Sequence, residues 1–162
     1  MIILTERMGQ LCVGDAMTRN VLTITANSTM AEAADELCQH QVTGAPVVDE
    51  QGCCVGVLSG SDFIRLKAEE LEGTDVRHVL STHHPEGLYS IDDMGHDLVC
   101  RRMSSAVQTI SENTSLLTAA RCLCNEHIHR LVVLDKNNKP VGVLSSLDLV
   151  ATLIAIVEEK HI

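Results

Sequence analysis

The chain contains itself twice. Shifted by 86 positions, the segment Met17–Asp62 overlies Met103–Asp148 without a gap, and 17 of the 46 paired residues are identical. The run Val55-Gly56-Val57-Leu58-Ser59 recurs as Val141-Gly142-Val143-Leu144-Ser145, while Val21, Thr23, Ile24, Asn27 and Asp49 recur as Val107, Thr109, Ile110, Asn113 and Asp135. A period this long lies beyond the roughly 20 to 50 residues of solenoid repeats, so it marks a duplicated half-domain.

Each copy reads as one β-α-β-β-α unit. A short β-prone segment, Val21 to Ile24 or Val107 to Ile110, runs into Asn-Ser-Thr or Asn-Thr-Ser, whose hydroxyls suit a helix start. Thr29 and Glu32 have the spacing of a capping box. In the helix that follows, Met30, Ala33, Ala34, Leu37 and Cys38 form an apolar stripe, so one face is buried. Two apolar runs come next, Ala45 to Val48 and Cys54 to Leu58, separated by the turn-forming Asp49-Glu50-Gln51-Gly52, and a second helix begins after Ser59 or Ser145. The first helix is long enough to cross between parallel strands. The expected fold class is α/β (α+β), with the two units packed sheet to sheet around an approximate two-fold axis, because one small sheet cannot close its own core. The expected bounds are an N-terminal extension 1–12, a first unit 13–72, a connecting segment 73–98 and a second unit 99–162.

Composition narrows the function classes. The net charge of −10, from 12 basic against 22 acidic residues, opposes a sequence-independent grip on a phosphate backbone, so nucleic acid is not an expected partner. One Phe, one Tyr and no Trp leave almost nothing for stacking on a base. No apolar run reaches the roughly 18 residues of a bilayer span and the N-terminus does not read as a signal peptide, so no membrane partner and a cytoplasmic location are expected. Seven cysteines, at 12, 38, 53, 54, 100, 122 and 124, are an odd number and lack zinc-ribbon spacing; most read as small apolar fillers.

The most informative local pattern is a Ser closing a glycine-containing strand with an Asp three residues later: Ser59-Gly60-Ser61-Asp62 and Ser145-Ser146-Leu147-Asp148. Its plain structural reading is a capping box. Its functional reading uses the same geometry, since a helix N-terminus offers free N–H groups to an anion while a hydroxyl donates to phosphate and a carboxylate accepts from sugar hydroxyls. In the second copy His129 and Arg130 precede the strand Leu131 to Leu134, and arginine brings a fork suited to phosphate oxygens.

With Met17-Thr18 and Met103-Ser104, the Pro46-Val47-Val48-Asp49 strand, the Gly-Val-Leu-Ser strands and the two Asp residues together, the chain from about Val13 to about Val157 resembles a tandem pair of CBS domains. His129-Arg130-Leu131-Val132-Val133 is similar to the phosphate-contacting segment of the γ subunit of AMP-activated protein kinase. The resemblance implies a regulatory, non-catalytic pair that binds AMP, ADP, ATP or S-adenosylmethionine between its copies and acts in trans on a partner of unknown identity. Carried over residue by residue, Asp62 and Asp148 would hold ribose hydroxyls, Ser59, Ser61 and Ser145 would approach phosphate, and Val42, Thr43 and Gly44 would line an adenine pocket. Thr18 and Val21 join the ligand-contacting set, and His129 and Arg130 would meet the phosphates. Leu147 stands where the family has a second hydroxyl, and Thr43-Gly44 stands opposite His129-Arg130, so the clefts are unequal. The expected better site combines Asp148, His129 and Arg130 with Thr43 and Val21; the one centred on Asp62 is expected to be weak or empty.

No nucleophile stands beside a base at a persuasive spacing, so no catalytic residue is assigned. His78, His83, His84, Asp92, Asp93 and His96 in the connection could hold a divalent ion, yet no His or Cys pair at a ligating interval fixes them, and no metal is expected. The competing reading is a ligand-free docking or dimerisation module. The helix through Leu147-Asp148-Leu149-Val150-Ala151-Thr152-Leu153-Ile154-Ala155-Ile156-Val157 is apolar nearly all round, which implies burial on more than one side, and the resemblance implies a homodimer.

Overall fold

The computed structural model of the chain describes residues 7–70 and 97–158. The His and Asp cluster of the connection and the last two residues of the expected helical stretch to Glu72 lie outside the described residues. In chain order the elements are α1 (Val13–Ala16), β1 (Thr18–Arg19), β2 (Ile24–Thr25), α2 (Met30–Gln39), β3 (Gly44–Val48), β4 (Cys54–Ser59), α3 (Gly60–Glu70), α4 (Val99–Arg102), β5 (Thr109–Ser111), α5 (Leu116–Asn125), β6 (Arg130–Leu134), β7 (Pro140–Ser145) and α6 (Ser146–Glu158). The expected β-α-β-β-α order is present twice, and the class is mixed α+β with two sheets.

The helix starts obey the local code. Thr29 caps α2: its N–H donates to Glu32 Oε2 at 2.8 Å and its Oγ1 accepts from the Glu32 N–H at 3.2 Å, a closed capping box. Ser115 caps α5 at the equivalent point, accepting from the Thr118 N–H at 3.2 Å. Met30, Ala33 and Leu37 are buried on α2, as are Leu116, Ala119 and Leu123 at the matching positions of α5.

Two compact units emerge, and neither is a contiguous copy of the repeat. Among the described residues the first gathers 7–21, 52–54 and 107–158; the second gathers 22–51, 55–70 and 97–106. In the first unit the sheet order is β1-β7-β6-β5, with β5 parallel to β6, β6 antiparallel to β7, and β1 antiparallel to β7. Its core is built on Val13, Met17, Leu116, Leu131, Val133, Leu144 and Leu149. In the second unit the order is β2-β3-β4, with β2 parallel to β3, around Ile24, Met30, Leu37, Val47, Leu58, Leu66 and Val99.

The opening of each copy therefore folds with the other copy's repeat. Val13 donates its N–H to Thr114 O at 2.8 Å and Gly14 to Glu112 O at 2.8 Å; at the equivalent places Val99 donates to Ser28 O at 2.9 Å and Cys100 to Ala26 O at 3.0 Å. The repeated Met and Gly residues explain one another. A side chain at Gly142 would place its Cβ 2.5 Å from Met17 Sδ and 3.0 Å from Thr18 O, and one at Gly56 would meet Met103 Cγ at 3.0 Å, so the glycine of each Val-Gly-Val-Leu-Ser strand makes room for the methionine. The turn before β4 also joins the first unit, where Gly52 takes φ +79° and the Cys54 N–H donates to Asn138 O at 2.8 Å.

The cysteines correct the expectation of apolar fillers. Cys38, Cys100 and Cys124 are exposed and Cys12, Cys53, Cys54 and Cys122 half-buried; none of the seven forms a disulfide. Cys38 follows Leu37 on α2, one position round the helix from the stripe, which turns it outward. Helix α6 buries Leu149 and Ile156 but leaves Leu147 76%, Val150 48%, Ile154 53% and Val157 47% exposed, so among the described residues only one of its apolar sides is covered.

Candidate functional site

Both Ser-x-x-Asp patterns sit where a strand passes directly into a helix. In the first unit β7 ends at Ser145 and α6 begins at Ser146. The Ser145 N–H and Oγ both donate to Asp148 Oδ2, each at 2.7 Å, and Ser145 Oγ accepts from the Asp148 N–H at 3.2 Å. The plain capping-box reading is thus realised in full. It uses only one carboxylate oxygen: Asp148 Oδ1 has no hydrogen-bond or ionic partner among the described residues, and the residue is half-buried rather than sealed.

The same unit carries six of the expected ligand-contacting residues: Thr18, Val21, His129, Arg130, Ser145 and Asp148. Arg130 opens β6 directly opposite Ser145 in the antiparallel pair, and the His129 carbonyl accepts from the Ser146 N–H at 3.0 Å, pinning the β6 entry to the α6 start. The side chains of His129 and Arg130 are exposed. Thr18, also exposed, lies opposite Val143 on the neighbouring β1. A fork-shaped cation, a hydroxyl and an unengaged carboxylate oxygen are what a sugar phosphate asks of a protein. Val21 closes the same stretch of this unit.

The second unit holds Val42, Thr43, Gly44, Ser59, Ser61 and Asp62. Thr43 occupies the place of His129, its carbonyl accepting from the Gly60 N–H at 3.0 Å. Gly44 is fixed by packing: a Cβ there would stand 2.7 Å from Leu58 O. The Asp62 carboxylate is enclosed, at 2% exposure. Its Oδ2 accepts from the Ser59 N–H at 2.7 Å and Ser59 Oγ at 2.9 Å, and Ser59 Oγ in turn pairs with Ser61 Oγ at 2.8 Å. Its Oδ1 accepts from Ser104 Oγ at 3.4 Å and faces Arg65 Nη2 at 3.7 Å.

Sequence reasoning assigned no role to Ser104 or Arg65. The signal was available at the 86-residue offset, which sets Ser104 over Thr18 and Arg65 over Ala151. It also missed Arg102, which ties α4 to α3 by pairing with Glu69 and to the segment before α4 by pairing with Asp97 Oδ2 at 2.6 Å; the Asp97 hydrogen bond, then that to Glu69, raises the guanidinium pKa above its ordinary value. Among the described residues no cluster of His, Cys, Asp and Glu could hold a metal, and no helix is long and apolar enough to cross a membrane.

A duplicated β-α-β-β-α fold with a Ser-x-x-Asp turn at each strand-to-helix junction defines a class of paired α+β module. The chain belongs to the CBS domain family, whose model matches residues 13–69 and 96–155, and it is a tandem CBS pair. It is 33% identical over 139 residues to the CBS domain-containing protein YhcV of Bacillus subtilis, covering 85% of this chain and 81% of YhcV. The solved structure of CBSX2 in complex with AMP, a protein of Arabidopsis thaliana, superposes with a TM-score of 0.69 at 26% identity over 90% of this chain and 98% of that one. The CBS domain pair of protein MJ0100, solved with 5'-methylthioadenosine and S-adenosyl-L-methionine, shares the fold with a TM-score of 0.63 at 22% identity, over 89% of this chain and 96% of that one.

Proposed function

We propose that the chain is a cytoplasmic, non-catalytic regulator that binds an adenosine nucleotide, AMP before ADP, ATP or S-adenosylmethionine, and acts on a partner protein in trans. The observation that carries this reading is the Asp148 carboxylate, anchored through Oδ2 at the start of α6 with Oδ1 left to accept from a sugar hydroxyl. Ser145, Thr18, His129 and Arg130 serve the phosphate, and Val21 borders the ligand. Val42, Thr43 and Gly44 are the corresponding adenine-side residues of the second unit, where Ser59, Ser61 and Asp62 form the weaker site. The AMP bound by CBSX2 makes AMP the first ligand to try.

The test is a thermal-shift titration of the wild type and of Asp148→Ala with the four ligands. At a ligand concentration of about 100 times Kd, binding adds about 2.7 kcal/mol, or about 5 to 10 °C in Tm for a chain of this size. A saturable rise lost in Asp148→Ala is the expected result; flat curves with all four ligands reject nucleotide sensing.

The exposed stripe on α6 favours a second reading, association through that helix. Leu147, Val150, Ile154 and Val157 follow the three- and four-residue spacing of one helix face. Sedimentation of wild type and Ile154→Glu separates the two: a ligand-independent dimer that the glutamate dissolves supports homodimerisation, and a wild-type monomer at all concentrations rejects it.

A further inference from the structure

The two Ser-x-x-Asp junctions share a backbone arrangement and differ at the outer carboxylate oxygen. Asp148 Oδ1 is unengaged among the described residues, whereas Asp62 Oδ1 is covered by the Ser104 hydroxyl at 3.4 Å and the Arg65 guanidinium at 3.7 Å. Neither cover has a counterpart in the first unit. Arg65 is replaced at the offset by Ala151, and Thr18, in Ser104's place, makes no hydrogen bond to Asp148.

We propose that Arg65 and Ser104 form a latch that withholds Asp62 from ligand and holds the chain to one nucleotide per protomer. The inference rests on the nucleotide reading above and adds the residues that make the two units unequal. Space beside Asp62 already exists. A cavity of about 130 Å³ lies against it, walled by Arg65, Glu69, Arg101, Arg102 and Met103, below the roughly 300 Å³ at which small-molecule sites begin. Arg65 is both the cation facing the carboxylate and part of that wall, so trimming it frees the oxygen and widens the space at once. Removing Arg65 and Ser104 leaves the Ser59 N–H and hydroxyl bonded to Asp62 Oδ2, so the start of α3 keeps its cap and the unit stays folded.

The experiment is calorimetric titration of the full chain with AMP, read as stoichiometry. The expected pattern is one site for wild type, two for Arg65→Ala/Ser104→Ala, none for Asp148→Ala, and one restored in the triple variant Asp148→Ala/Arg65→Ala/Ser104→Ala. Circular dichroism establishes that each variant is folded. A triple variant that stays folded and binds nothing, beside a wild type that binds, overturns the latch alone. So does a wild type with two sites of which Asp148→Ala keeps one. A wild type that binds no AMP overturns the nucleotide reading and the latch with it.

Discussion

At Thr29 and Glu32 a surface carboxylate is held in its charged form by the helix it starts. Its pKa lies below the ordinary 4.5, chiefly through the hydrogen bond from the Thr29 N–H and then that from the Thr29 hydroxyl. Asp135 is lowered likewise, first by the Lys139 N–H and then, against an opposing desolvation, by the Asn137 N–H and side chain of the turn before β7. A carboxylate depressed in the folded state contributes stability above its unfolded pKa and loses it as the pH falls through its folded one. Thermal melts should therefore show wild type losing Tm below about pH 4.5 more steeply than Glu32→Gln/Asp135→Asn, with the two curves parallel above pH 6. Parallel curves throughout would remove these two groups from the acid response. The capping box at Thr29 and Glu32 was legible in the sequence because it is local, with partners three residues apart. The contacts of Asp62 with Ser104 were not, because they join residues 42 positions apart.

Between elements the deciding interaction is the methionine that follows α1 or α4 seated over the glycine of β7 or β4. Gly142→Ala would bring a Cβ to 2.5 Å from Met17 Sδ and 3.0 Å from Thr18 O, and one of these neighbours must yield. Overpacking of this kind costs about 1 to 3 kcal/mol, which lowers Tm by several degrees. The cost should shrink in a Met17→Ala background, where the void accepts the methyl group, and a double-mutant cycle of thermal or urea melts measures the coupling. Additive effects would show that the strand tolerates the methyl by shifting elsewhere. The sequence displayed both residues as repeated motifs without saying that they meet: helix stripes and strand alternation follow from periodicity, but which strand receives which methionine does not.

For the molecule as a whole, the exchange of opening segments sets what can fold alone. Residues 22–106 contain every core residue of the second unit, including Val99 and the adjoining Met103, whereas a fragment ending at 86 lacks both. Expressed separately, 22–106 should melt cooperatively and 1–86 should not, as circular dichroism would report; the opposite outcome would mean that each copy closes a core by itself. The sequence by itself determined the duplication, the β-α-β-β-α order, the helix caps, the apolar stripes and the two aspartates, because each is written in spacing within about a dozen residues or in direct identity between copies. Only the tertiary structure decided that each copy's opening crosses to the other unit and, among the described residues, that Asp62 is enclosed while Asp148 keeps an oxygen open and that α6 leaves an apolar face uncovered. Those outcomes depend on which distant groups compete for the same strand edge, cavity or carboxylate oxygen, and that competition is resolved only when the whole chain packs.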